Sequence, residues 1–346
     1  MGLDFIKQHG GRRLTVDTTL PIPQNYLVDP ESGLQEDVDL DLEISSTKWH
    51  AIDSVTVLHW RPAEWDESPV RFVDGKDVGQ SVAWVRSPDE YPVPIRLAQI
   101  GSIVMALVNG ELRREYLSVK KVASMVVTSF PEDEIADFSY ELAAKGISFL
   151  SARPEAAFEF EKLRRAAQNR TRDEMIVLEE KAVLKNHKIP TIVDGRLEAH
   201  SGGFDKDKSP ICGVIKTHYR NYLHPLGMQL LYQLKAGQRT PYFKLAPYQR
   251  LPLITWYLKL SDEIGSTPAW GFVRVEVSFD WFKNTCKNED FVNKISKVIY
   301  EYRCKEQSYR RASVSIHPIV RAEESLASHF QPESKLMADF YRHTRL

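Results

Sequence analysis

The apolar pattern along the chain changes period several times, and each change marks an element. Residues 54–60, 70–74, 81–85 and 95–108 are short runs rich in Val, Ile and Phe and read as strands. The polar, proline-bearing segment 86–94 joins the last two into a long hairpin. Residues 117–128 add a further strand. The period then lengthens to that of a helix over 132–144, with Pro131 near its start and Gly146 at its stop. A short strand at 147–150 precedes a long helical stretch over 154–187. Residues 189–197 read Ile-Pro-Thr-Ile-Val-Asp-Gly-Arg-Leu, a β-branched strand ended by Asp194-Gly195 turn chemistry. A loop with Gly202 and Gly203 and a strand over 213–218 follow. In 271–279, Val273, Val275, Val277 and Phe279 alternate with Arg274, Glu276 and Ser278, as in a strand with one wet face. Residues 290–305 read as a helix, 312–319 as a strand, and 321–341 as a closing helix broken near Pro332. The class is α/β.

Composition narrows the picture. A chain of 346 residues is long enough for one large domain or two smaller ones. Net charge is −1, which excludes a globally basic nucleic-acid binder, so any anion site is a local patch. Cys212, Cys286 and Cys304 have neither metal-ligand spacing nor a disulfide framework, which fits a reducing, cytoplasmic setting. No apolar run reaches membrane-spanning length. Residues 1–50 are polar, with an acidic run from Glu36 to Glu43. They read as an arm or cap, either solvated or docking a partner through Asp4, Phe5 and Ile6, ahead of a main domain over 51–346.

Candidate chemistry lies at the strand ends. The 189–197 strand ends in Asp194-Gly195, and the 70–74 strand ends in Asp74-Gly75. One such end is an ordinary turn. Two of them, with a helix acid between, suggest carboxylates gathered from distant sequence to hold metal. On a helical wheel Glu179 falls near the centre of the apolar face of the long helix, with Glu180 at its margin and Glu174 opposite. A carboxylate facing a core is costly unless paired or metal-bound. A buried salt bridge with Arg172 and a metal site both satisfy that demand.

From Lys208 to Ser261 there is no Asp or Glu, while cations and aromatic residues alternate. Such a segment suits phosphates and unstacked bases, with Lys216, His218, Arg220 and Arg239 as candidate DNA contacts. It equally suits a buried β-rich region whose few cations face solvent. Lys216 is either a point charge for the scissile phosphate or a surface lysine. The order strand with Asp74, hairpin, long helix with Glu179, strand with Asp194 is that of the acids in a ribonuclease-H-like fold: a mixed sheet flanked by helices, here with extra β-rich elements. Such a site holds two hard divalent ions to activate water and stabilise the leaving oxygen.

From Arg71 to the C-terminus the sequence also resembles the NurA nuclease family. The resemblance rests on Phe-Val-Asp-Gly at 72–75, Val-Asp-Gly-Arg-Leu at 193–197, and Gly-Val-Ile-Lys at 213–216, followed by His218 and Asn221-Tyr222-Leu223. Gly237-Gln238-Arg239-Thr240-Pro241, Trp256-Tyr257-Leu258 and Val273-Arg274-Val275-Glu276 extend it. It implies a manganese- or magnesium-dependent DNA nuclease, a homodimer docked on a HerA-type hexameric ATPase. Asp74 and Asp194 match the metal-binding aspartates, and Glu179, with Glu180 second, matches the helix acid. The C-terminal part departs. Where the family pattern has Pro-Leu-x-x-Ala-His, Glu323 stands at the His position. His317, just before Pro318, is a candidate catalytic substitute or a plain strand-end histidine. The other reading of the whole is a non-catalytic, DNA-gripping subunit of the same ATPase complex.

Overall fold

One sixteen-residue strand, Arg71–Arg86, is the spine of the molecule. The computed structural model describes residues 3–14, 36–39, 51–53, 70–153, 159–186, 189–197, 211–216, 222–247, 252–263, 270–283, 289–305 and 312–344. The expected strand at 54–60, the Gly202–Gly203 loop, Cys286, His218 and Arg220 lie outside them. In chain order the early elements are α1 (Asp4–Gln8), β1 (Arg12–Arg13), β2 (Glu36–Asp39), β3 (Ile52–Asp53), β4 (Arg71–Arg86), β5 (Pro92–Val108) and β6 (Glu111–Val126). Then come α2 (Glu132–Ala143), β7 (Ile147–Ala152), α3 (Phe160–Leu184), β8 (Thr191–Asp194), β9 (Ile211–Ile215) and α4 (Pro225–Gln233). The last part holds β10 (Gln238–Arg239), β11 (Phe243–Pro247), β12 (Leu253–Lys259), β13 (Phe272–Ser278), α5 (Phe279–Trp281), α6 (Glu289–Glu301), α7 (His317–Ala327) and α8 (Glu333–Thr344).

The main sheet runs β2-β11-β12-β13-β9-β8-β4-β5-β6-β7. Its middle is the ribonuclease-H-like unit: β4, β5 and β6 form an antiparallel meander, and β8 and β9 join β4 in parallel. The strands β10 to β13 supply the extra β-rich elements. Strand β4 sends alternate side chains to opposite faces. Phe72 joins the apolar cluster of Ile316 and Ile319 by α7, while Val73 joins that of Ala182 and Val183 on α3. The two helices therefore cover opposite faces.

Four expectations need correction. Residues 70–74 and 81–85 are one strand, because β5 pairs with the polar stretch between them, with a bulge between Ser81 and Ala83. Residues 312–319 are not a strand. Ala312–Val314 is a 3-10 turn, and α7 begins at His317, where Pro318 needs no N–H partner in the first turn and has a preset φ. Strand β13 has no wet face: all seven residues are buried, and Arg274 and Glu276 pair with each other at 2.8 Å. Phe5 and Ile6 are no partner anchor either. They are buried in the chain's own core beside Phe130 and Phe138.

Candidate metal centre

The site forms where the sheet opens. Strand β8 pairs with β4 only at Arg71, Phe72 and Val73, and β1 takes the same edge again only at Ala83 and Trp84. Between these contacts, among the described residues, that edge of β4 has no strand partner. The opening lies past the carboxyl ends of β8 and β9, where open α/β sheets place their ligands. Asp74 stands at its start, Asp194 ends β8, and Lys216 follows β9.

Glu179 arrives from α3 on the other face. It is 3 % exposed, as its wheel position indicated, whereas Arg172 is exposed and Glu174, 16 % exposed, pairs with Lys120 of β6 and with Arg170. Gly75 makes room for it: a Cβ there would lie 2.6 Å from the Glu179 carboxyl carbon. Helix α3 is pinned on either side of this acid. Toward its C-terminus the buried Arg71 donates to the carbonyls of Ala182 at 3.0 Å, Val183 at 3.3 Å and Asn186 at 3.0 Å, satisfying groups the helix leaves open. Two turns before Glu179, Thr171 donates to Asp77 of β4 at 2.6 Å. The turn after Asp194 is fixed as well. Gly195 adopts φ +123°, a backbone conformation costly for other residues, and the Leu197 N–H donates to buried Glu276 at 3.2 Å.

The electrostatics are those of crowded acids. Asp74 is 5 % exposed, and its Oδ2 is buried without a hydrogen-bond partner. Burial holds its pKa well above the ordinary carboxylate value, and the charges of Asp194, Glu179 and Glu323 push it further up, while Lys216 pulls it down. The Lys216 ammonium donates to Asp194 Oδ2 at 2.8 Å, with its side chain only 7 % exposed. An orphaned buried carboxylate oxygen, two further acids and a cradle that only glycine leaves open fit a hard, oxygen-seeking cation. Among the described residues, no three His, Cys, Asp or Glu side chains stand in ligating geometry as a set.

The remaining expected residues divide. Glu180 is half-buried and is not among the groups acting on Asp74. Of the α7 residues it is Glu323, 3.9 Å from Lys76, whose charge reaches Asp74. His317 instead opens α7, where its Nε2 accepts from Arg321 at 3.2 Å. It lines a groove with Arg303, Lys305 and Arg321. Arg239 is no DNA contact: it is fully buried, bonded to Asn293 at 2.8 Å and to the Thr240 carbonyl at 2.9 Å. Tyr222, Phe243, Trp256 and Tyr257 of the acid-free interval are also buried. Much of the described part of that interval is core, with Tyr232 exposed. Sequence reading missed Gly75 as a cradle and Asp77 as an anchor. The only signal was their closeness to Asp74.

No helix among the described residues is long and apolar enough to cross a membrane. No family profile matches the chain, and no curated protein matches it in sequence. Among solved structures the chain is similar to the crystal structure of the NurA nuclease from Sulfolobus solfataricus, at 11 % identity and a TM-score of 0.44, over 80 % of this chain and 85 % of that one.

Proposed function

We propose that the chain is a divalent-metal-dependent DNA nuclease that hydrolyses phosphodiester bonds at the Asp74 site. The observation that carries this reading is the buried, unpartnered Oδ2 of Asp74 beside Asp194 and Glu179 at the open mouth of parallel strands. Left alone, such an arrangement costs free energy through burial and like-charge repulsion. A cation relieves both.

Asp74, Glu179 and Asp194 would hold Mn2+ or Mg2+. The chemistry such an ion supplies when bound is activation of water and stabilisation of the leaving oxygen. The chain's own residues do the rest. The α3 anchors Arg71 and Thr171 fix where Glu179 points, the Glu276 contact fixes the turn behind Asp194, and burial keeps bulk water from Asp74. Lys216 presents a positive charge at the same mouth, within reach of a phosphate that enters it.

On the resemblance of its motifs to NurA nucleases, the chain works as a homodimer with a HerA-type hexameric DNA-translocating ATPase, in DNA end processing or in defence against foreign DNA. The deciding experiment is cleavage of linear duplex and single-stranded DNA with Mn2+, with and without such an ATPase, using wild type and Asp74→Asn. Cleavage by the wild type and none by the variant supports the reading. DNA binding without cleavage under every condition would leave a non-catalytic DNA-gripping subunit.

A further inference from the structure

We propose that Lys216 takes the place of one of the two cations expected at such a site, so that the wild-type centre holds a single divalent ion. This rests on the carboxylates binding metal as argued above. Two-ion sites hold their ions about 4 Å apart, between acids that both ions share. Here one of those acids is already committed. The Lys216 ammonium lies 2.8 Å from Asp194 Oδ2, and its side chain is 7 % exposed, less than the 23 % of Asp194 itself. A lysine so covered is not a surface residue that swings in from solvent. It follows β9 directly, and β9 is locked between β8 and β13, so its backbone origin is fixed.

The buried oxygen without a hydrogen-bond partner is on Asp74, whereas the ammonium sits on Asp194, so the two lie on different acids. An ammonium also differs from a metal ion in kind. It carries three N–H donors on a compact charge, and can neutralise a phosphate oxygen without coordinating water. In this assignment the divalent ion works at Asp74, and Lys216 neutralises phosphate at Asp194.

The test is Mn2+ stoichiometry on the full chain, by calorimetry and by paramagnetic resonance of the unbound ion. Wild type is expected to take up one Mn2+ per chain, and Lys216→Met two. Removing the ammonium leaves Asp194 without that partner, so Lys216→Met is purified with Mn2+ present and, like the other two proteins, stripped with chelator before titration. Its melting temperature should rise more on Mn2+ addition than that of the wild type. Lys216→Arg keeps the charge and is expected to remain at one ion. Two ions in the wild type or in Lys216→Arg, or one in Lys216→Met, overturns the assignment while leaving the nuclease reading intact. No Mn2+ bound by any of the three proteins overturns both.

Discussion

Asp74 and Asp77 lie three residues apart on β4, both largely withdrawn from water, and their surroundings differ in kind. Asp77 is fully provided for: Arg96 donates to Oδ1 at 2.8 Å and Thr171 to Oδ2 at 2.6 Å. Arg96 is itself held by the Gly79 carbonyl at 2.8 Å. Asp74 has acids for neighbours and one oxygen with no hydrogen-bond partner among the described residues. Burying a carboxylate is tolerable in a fold once its lone pairs are used. The strand therefore shows what a structural acid looks like in this protein, and Asp74 lacks such partners. Asp77 binds α3 to the sheet. Asp74 is kept in an unfavourable state by burial and neighbouring acids, which on the proposed reading a cation relieves.

The largest expected effect separates these roles by activity. Asp74→Asn is expected to lower DNA cleavage by roughly a thousandfold, about 4 kcal/mol of transition-state stabilisation. In the absence of metal the same variant should melt at or above the wild-type temperature. The pH profile sharpens this. Because the folded-state pKa of Asp74 is raised, its favourable contribution is complete below the unfolded value near 3.8 and is lost as pH rises through the folded pKa. The metal-free wild type should thus lose stability across that range relative to Asp74→Asn. A metal-free variant that is less stable than wild type at neutral pH would show Asp74 to be an ordinary structural acid.

Asp77→Asn is expected to do the reverse. Removing one partner of a buried ion pair costs about 3–5 kcal/mol. Chemical denaturation should show that loss, with cleavage per folded molecule falling far less than in Asp74→Asn. Equal stability in wild type and Asp77→Asn would mean that Arg96 and Thr171 hold α3 without it.

Much of this contrast was legible in the sequence, and the rest was not, for definite reasons. Asp74 and Asp194 showed themselves because β-branched runs ended in Asp-Gly, and Glu179 because helical periodicity put it among apolar residues. These are local signals. Asp77 gave only its closeness to Asp74, since its partners Arg96 and Thr171 are 19 and 94 residues away. Its polar neighbourhood split one strand into two in the reading. Pattern also failed at β13, where Arg274 and Glu276 look like a solvent face but neutralise each other inside. The acid-free interval misled at Arg239 for the opposite reason. A missing charge of one sign marks a buried region as readily as a binding surface, and Arg239 is buried with it.

Gly75 sits between the two aspartates and links them. Its φ is not in the positive range, so the backbone accepts alanine. The added Cβ would instead crowd the Glu179 carboxylate, the far end of a flexible side chain. Gly75→Ala is expected to destabilise by about 1–3 kcal/mol. It should weaken Mn2+ binding more than its small volume suggests, because the acid it displaces is a proposed ligand. Unchanged Mn2+ affinity in a folded Gly75→Ala protein would remove Glu179 from the centre and leave Asp74 and Asp194 alone.

The smallest effect is expected at the rim. Lys76 follows Gly75 on the α7 face and meets Glu323 at 3.9 Å, with side-chain exposures of 31 % and 40 %. At that distance and exposure an ion pair contributes about 0–1 kcal/mol, and salt screens it. Lys76→Ala should therefore leave stability nearly unchanged at physiological ionic strength. Its informative consequence is electrostatic. Glu323 already raises the pKa of Asp74, and removing Lys76 uncovers more of that charge. The pH range over which the metal-free protein loses stability should move upward, and Asp74→Asn in the same background should abolish the movement. Glu323→Gln should move it downward. If neither rim change shifts the profile while Asp74→Asn removes it, then Asp194, Glu179 and burial alone set the state of Asp74, and the acid that stands at the family's histidine position has no share in the site.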